Sequence, residues 1–428
     1  MSPVKYGRRA WLLLAACLAV VVMASAGRVE AKKSKEQKQQ AKAAKQHSNV
    51  KALRQRELTL EELTAMLPGY DAAVAAERRQ MVETGLRRME LEYAAHLETG
   101  APFVRDILII SGGGAKGAFG AGFLQGWQTV EGPTAPPEFD VVTGVSTGAL
   151  IAPFAFIGTE EAFLSVAEFY ANPDKNWAHK RGMLFIKPSH VSLFNDDLLQ
   201  EMIRNSVDAS LVQAMAEAAA EDRMLQIGVT NLDFGVGRIF DLGQVASEAA
   251  NTGSHDRVHS ILLGSSAIPG VFPPVMIDGL FYADGGATAN VTLFGSLGFV
   301  ERWRGSHPDA PLPKYRVWVI VNQQLRIEPA VTRARWLSVA GRGLGTATHS
   351  LQLFAMHLLE REARELEETE GADVEFRWVA IPEDAPAKGT KEMLDQEYMR
   401  ALEDLGRRMG ADPSSWNSKV PPIYALED

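Results

Sequence analysis

FDVVTGVSTGAL, Phe139 to Leu150, places an apolar run directly before a serine set between glycines. The run has the β-branched character of a buried strand, and the small and apolar residues after it read as a helix. Ser146 therefore stands where the chain turns sharply from strand into helix. Gly144-Val145-Ser146-Thr147-Gly148 has the G-x-S-x-G form. On such a turn a hydroxyl projects above the sheet, and Gly144 and Gly148 let other groups approach closely. The helix N-terminus also favours negative charge developing at that hydroxyl.

The same rhythm extends on both sides. Upstream, RDILIISGGG reads as a buried strand entering glycines, followed by the small-residue helix KGAFGAGFLQGWQTV. Downstream, MLQIGVTNL, GRIFDLG, LFYADGG and YRVWVIVNQQ read as further strands. Strands alternating with helices predict an α/β fold, with a largely parallel central sheet and helices on both faces. Ligands in such folds lie at the carboxyl ends of the strands, where both glycine-rich turns fall.

SGGGAKGAFGAG, Ser111 to Gly122, leaves several amides of one turn pointing the same way. Such a cradle suits an anion, either a phosphate or an oxyanion. A P-loop is excluded, because Lys116 is followed by Gly117 and Ala118 rather than by Ser or Thr. Gly112-x-Gly114-x-x-Gly117 satisfies the dinucleotide fingerprint, but that motif expects an acid at the end of the next strand. Here the next strand ends in Gly144 and Ser146, and Asp140 lies at its start. In YADGGATAN, Asp284 ends an apolar strand and is followed by Gly285 and Gly286. Taken alone, an Asp-Gly pair only makes a turn.

In this order, GGGAKG, GVSTG and DGG resemble the patatin-like phospholipase family, as does GSSAIPGVFPPV at Gly264–Val275. The resemblance covers roughly Asp106 to Asn290. It implies Ser146 as nucleophile, Asp284 as its base, and Gly112, Gly113 and Gly114, closed by Gly117, as the oxyanion-hole segment. Lys116 falls where the family usually has a basic residue, often arginine. Ser111 stands where plant members carry Asp, and Pro153 sits deep in the helix after the nucleophile.

A serine hydroxyl is a weak nucleophile until a base takes its proton. None of the nine histidines lies in a motif that would bring it to Ser146. His255 and His259 stand at helical spacing, but a metal would need a third ligand, and a surface pair is the expectation. Asp284 can serve as base only in a partly dry site, where desolvation raises its pKa. The expected activity is therefore hydrolysis of a lipid carboxylic ester, with no cofactor and no metal. Two other readings remain: a non-catalytic lipid-binding envelope protein on the same fold, and a His-dependent α/β-hydrolase esterase.

The 428 residues carry a formal charge of −9, so a nucleic-acid partner is not expected. At the N-terminus, the basic KYGRRA, the apolar Trp11–Met23 and the small residues Ala24–Ala26 predict a signal peptide over residues 1–26. Export to the periplasm, the exterior or a membrane surface follows. The lone cysteine, Cys17 in LAAC, offers a lipoprotein alternative. With one thiol, disulfides play no part in the fold. Residues 27–58 form a polar tether; between Arg28 and Glu57 ten Lys or Arg face three acids. Such a run is a solvated spacer or a contact for anionic headgroups at a membrane. Thr59 and Glu62 form a capping-box pattern opening one or two helices over residues 59–100. The catalytic domain is expected over residues 101–330, and a mostly helical extension packed on it over 331–428. Lys175–Lys187, KNWAHKRGMLFIK, mixes basic and apolar side chains and suits either a lipid interface or a loop folded over the core.

Overall fold

The computed structural model describes residue 56 and residues 58–171, 192, 196–291, 297–326, 331–386 and 395–422. The expected signal peptide, most of the expected tether and the stretch Lys175–Lys187 lie outside the described residues. Among the described residues eight strands form one sheet. They are β1 (Val104–Ile110), β2 (Val141–Val145), β3 (Met224–Asn231), β4 (Val236–Asp241), β5 (Val275–Ile277), β6 (Leu280–Asp284), β7 (Lys314–Val321) and β8 (Val374–Ala380). Their order is β5-β6-β3-β2-β1-β7-β8, with β4 paired to β3. The central path from β3 to β8 is parallel, as the alternation of strands and helices predicts. β4 and β6 run antiparallel to β3, and β5 antiparallel to β6.

Successive strand residues face opposite sides, and both sides are buried. Leu108 and Ile110 of β1 enter one core, Ile107 and Ile109 the other. The first core is covered by α2 (Gly117–Trp127), α3 (Thr147–Ile157), α4 (Glu160–Ala171), α5 (Asp197–Ser206), α6 (Ala209–Ala219), α7 (Leu242–Thr252), α8 (Asp256–Ser265) and α11 (Gln396–Gly410). The second is covered by α1 (Leu60–Thr99), α9 (Leu297–Ser306) and α10 (Trp336–Glu370).

The capping box at Thr59 and Glu62 opens α1, a single helix of 40 residues that runs through Pro68. It is tied to the start of the sheet. The Arg88 guanidinium donates to Asp140 at 3.0 Å and to Glu92 at 2.9 Å, and the Asp106 amide donates to Asp140 at 2.7 Å. Burial opposes the charge on Asp140, but Arg105, the Asp106 amide and Arg88 hold its carboxyl below the usual range. Burial and the neighbouring Asp140 push Glu92 up to about 8. Asp140 thus anchors α1 at the end of the strands opposite Ser146.

Two register choices set up the site. Along one edge of β3, β2 pairs from Val141↔Met224 to Val145↔Gly228. The next residue of that edge, Val229, pairs with Asp284, the last residue of the oppositely directed β6. The other edge of β3 belongs to β4. β2 and β6 therefore meet head to head, one ending just before Ser146 and the other at Asp284.

A glycine ladder fixes the helix that follows the glycine loop. Methyl groups at Gly122 or Gly126 of α2 would collide with the carbonyls of Glu403 and Arg407. Reciprocally, methyl groups at Gly406 or Gly410 of α11 would collide with those of Phe119 and Phe123. Four-residue spacing puts each pair on one helix face, so the two backbones touch. Gly406→Leu should therefore lower stability by about 1–3 kcal/mol or more in denaturant unfolding, the usual cost of overpacking. Gly305→Ala, in α9 with open space around it, should not.

Candidate active site

Ser146 adopts φ 54° and ψ −123°, a left-handed conformation that costs a non-glycine residue energy. Its neighbours hold it there. The Ser146 amide donates to Ser265 Oγ at 2.9 Å, and Ser265 Oγ donates in turn to the Gly228 carbonyl at 2.7 Å. Ser266 Oγ donates to the Ser146 carbonyl at 3.4 Å. The turn itself has no room for side chains: a methyl at Gly144 would strike the Gly148 carbonyl, and one at Gly148 would strike that of Ile110. α3 then runs through Pro153 to Ile157, although proline supplies no amide to the carbonyl one turn back.

Ser146 Oγ donates to Asp284 Oδ2 at 2.6 Å, and the Gly286 amide donates to Asp284 Oδ1 at 2.8 Å. Both side chains are buried, Ser146 at 7% exposure and Asp284 at 6%. Burial pushes the Asp284 carboxyl up to about 6, outweighing the bonds from Ser146 and Gly286 that favour its charge. Gly285 allows the close passage of this turn, since a methyl there would strike the Gly228 carbonyl.

The glycine loop is anchored by residues that carry no motif. Ser111 Oγ donates to the Gly112 carbonyl and accepts from the Asn322 amide, each at 2.9 Å. The Gly112 amide points at the Asn290 carbonyl, 3.4 Å away, so that donor is turned inward. Gly113 and Gly114 line the chamber that holds Ser146 and Asp284. The Gly117 amide closes a tight turn onto the loop, and a methyl on Gly117 would strike Thr147 beside Ser146. Lys116 lines the same chamber.

Two cavities meet at Ser146. The larger, about 610 Å³, has mixed walls: Ile268, Val271 and Leu344 stand beside Lys116, Asn290, Gln324, Arg342 and His349. The smaller, about 120 Å³, is lined by Leu150, Phe169, Leu199, Met202, Phe272 and Met399. His349 was not singled out by the sequence, and it reaches the chamber from α10. The bond from Ser146 goes to Asp284, not to a histidine. His259 is turned elsewhere, its Nε2 lying 2.7 Å from the Val207 carbonyl. Among the described residues no group of three or more His, Cys, Asp or Glu is placed to hold a metal.

A mostly parallel sheet between helices, with a serine on a strained strand-to-helix turn, defines an α/β protein of the nucleophile-elbow kind. Residues 108–295, a little under half of the chain, match the model of the family described as patatin-like phospholipase. It is a family of lipid acyl hydrolases. No curated protein matches the chain.

The raised Asp284 gives a test of opposing signs. An acid whose folded pKa lies above its unfolded value stabilises the fold below about pH 3.8, and that contribution is lost as pH rises through about 6. Asn can still accept the Gly286 amide on its oxygen and donate its Nδ2 to Ser146 Oγ, without the buried charge. Relative to wild type, Asp284→Asn should therefore gain stability between pH 4 and pH 8, by on the order of 3 kcal/mol in denaturant unfolding. No such gain would mean that the wild-type carboxylate is not desolvated.

Proposed function

We propose that this protein hydrolyses carboxylic esters of lipids, as a phospholipase A or lysophospholipase does, through a Ser146–Asp284 dyad. The observation that carries this reading is the 2.6 Å hydrogen bond from the Ser146 hydroxyl to a buried carboxylate that burial has made more basic. Ser146 Oγ attacks the ester carbonyl while its proton passes to Asp284 Oδ2. The oxyanion that forms takes hydrogen bonds from the loop amides, a role that falls to Gly113 and Gly114, since both line the chamber. As the intermediate collapses, the leaving alcohol takes the proton back from Asp284, and the acyl group remains on Ser146. Water, deprotonated by Asp284, then attacks the acyl carbonyl and releases the fatty acid and the free serine. An acyl chain would occupy the small apolar cavity, leaving the polar part of the lipid in the larger one.

Ser146→Ala should abolish release of fatty acid from mixed lipids, read by mass spectrometry, and labelling by a fluorophosphonate probe. Asp284→Asn should lower turnover by about 100-fold or more, the scale of a lost general base. His349→Ala should keep most of the activity. Loss in that variant equal to the loss in Ser146→Ala would favour the His-dependent reading, because His349 shares the chamber. In wild type, kcat/KM should fall as pH drops through about 6, where Asp284 takes up a proton.

We also propose that the chain is exported. The basic, apolar and small-residue order of Lys5–Ala26 supports this. N-terminal sequencing of the mature protein should begin at Gly27; a chain that retains Met1 in the cytoplasm would refute it.

A further inference from the structure

We propose that α10, from its N-terminus to Leu358, is where the protein docks on an anionic lipid surface. This rests on the substrate being a lipid ester, and it names the element that meets the bilayer.

α10 carries two apolar faces. Leu353, Met356, Leu359, Ala363 and Leu366 bury one in the second core. The other is uncovered: Leu344, Ala347, Leu351, Phe354 and Leu358 share it and are all exposed, Phe354 by 57% and Leu358 by 52%. Water is a poor partner for so many large apolar groups in one row.

Charge identifies the occupant. From Val331 to Leu359 there is no Asp or Glu, while Arg333, Arg335 and Arg342 are all exposed. The chain as a whole carries −9. Arginines at a helix N-terminus oppose the helix dipole, and this end has neither an acidic residue in its first turn nor a side-chain cap. Gly341, Gly343 and Gly345 lie in open space within the same turns, each costing about 1 kcal/mol against alanine. A helix that breaks these rules together is unfavourable in water. An anionic surface reverses the sign of the charge penalty and accepts the apolar row, as at interfacial helices. Among the described residues no helix is long and apolar enough to cross a membrane.

Position links this face to the site. Residues from Gly341 to Ser350 of α10 line the chamber that holds Ser146. One turn later, buried Gln352 accepts a hydrogen bond from the Asn290 side chain, and the backbone carbonyl of Asn290 receives the Gly112 amide. A lipid leaving the surface beside α10 would therefore enter at the wall of the chamber.

The test uses the mature chain from Gly27, which has no cysteine, with Ser146→Ala, so that vesicles persist and labelling is unique. An environment-sensitive fluorophore is placed at Ala347→Cys on the exposed face, or at Thr369→Cys on the acidic end of α10. Phosphatidylglycerol vesicles should blue-shift the probe at 347, not at 369, and less in high salt. Phosphatidylcholine should do little. Adding Leu351→Asp and Leu358→Asp should weaken this partition at least about 10-fold. In the Ser146 background, the same two changes should leave hydrolysis of a soluble short-chain ester intact. No shift at 347 on anionic vesicles overturns the proposal. So does a shift without lipid that grows with protein concentration, because a second copy would then cover the face. A lipid-dependent shift in a protein that hydrolyses no ester supports docking and refutes only the catalytic reading.

Discussion

One edge of β3 decides the chemistry. β2 and β6 approach along it from opposite directions, and consecutive residues Gly228 and Val229 receive their last residues. That register brings a hydroxyl and a carboxylate separated by 138 positions to 2.6 Å. A slip of one residue in β6 would turn Asp284 to the other face of the sheet, since side chains alternate. Thr230 Oγ1 guards against this by donating to the Asp284 carbonyl at 2.9 Å, and the Asp284 amide donates to Ala267 at the same distance.

Around that junction the fold accepts two local costs. The backbone of Ser146 is strained, by about 1–3 kcal/mol for a residue of its kind, and Asp284 is a carboxylate with little water. Both persist because their surroundings leave no alternative. Ser265 and Ser266, at the end of α8, grip the amide and carbonyl of Ser146, while glycines on three turns let four backbones crowd together. The same dryness that destabilises the carboxylate makes it a better base. Stability and chemistry are opposed at one atom pair.

Much of this was legible in the sequence because glycine is a local signal. Three turns at strand ends announced themselves as GGG, GVSTG and DGG, and the alternation of strands and helices gave the layers. Long-range pairing left no such mark. LFYADGG reads as a strand, but nothing in it says that it runs against β3 or meets β2 end to end. β5, with three residues, is too short to show a period. Ser265, Asn290 and Asn322 are single polar residues without periodicity, and their roles exist only once partners arrive from other strands. The pattern over residues 59–100 left one helix or two open, and the structure has a single helix that continues through Pro68 near its exposed N-terminal end. The four-residue glycine spacing of GFLQG (Gly122, Gly126) and GRRMG (Gly406, Gly410) stands in each helix separately. Their mutual fit does not.

β7 carries a consequence for how this fold is inherited. It lies inside the sheet, between β1 and β8, though it belongs to chain beyond the segment that the family model matches. α11, later still, fills the glycine face of α2. The matched segment is therefore not a portable module. Transplanted alone into another gene, it would carry the whole reactive constellation with one flank of its sheet raw, and raw sheet edges recruit one another into aggregates.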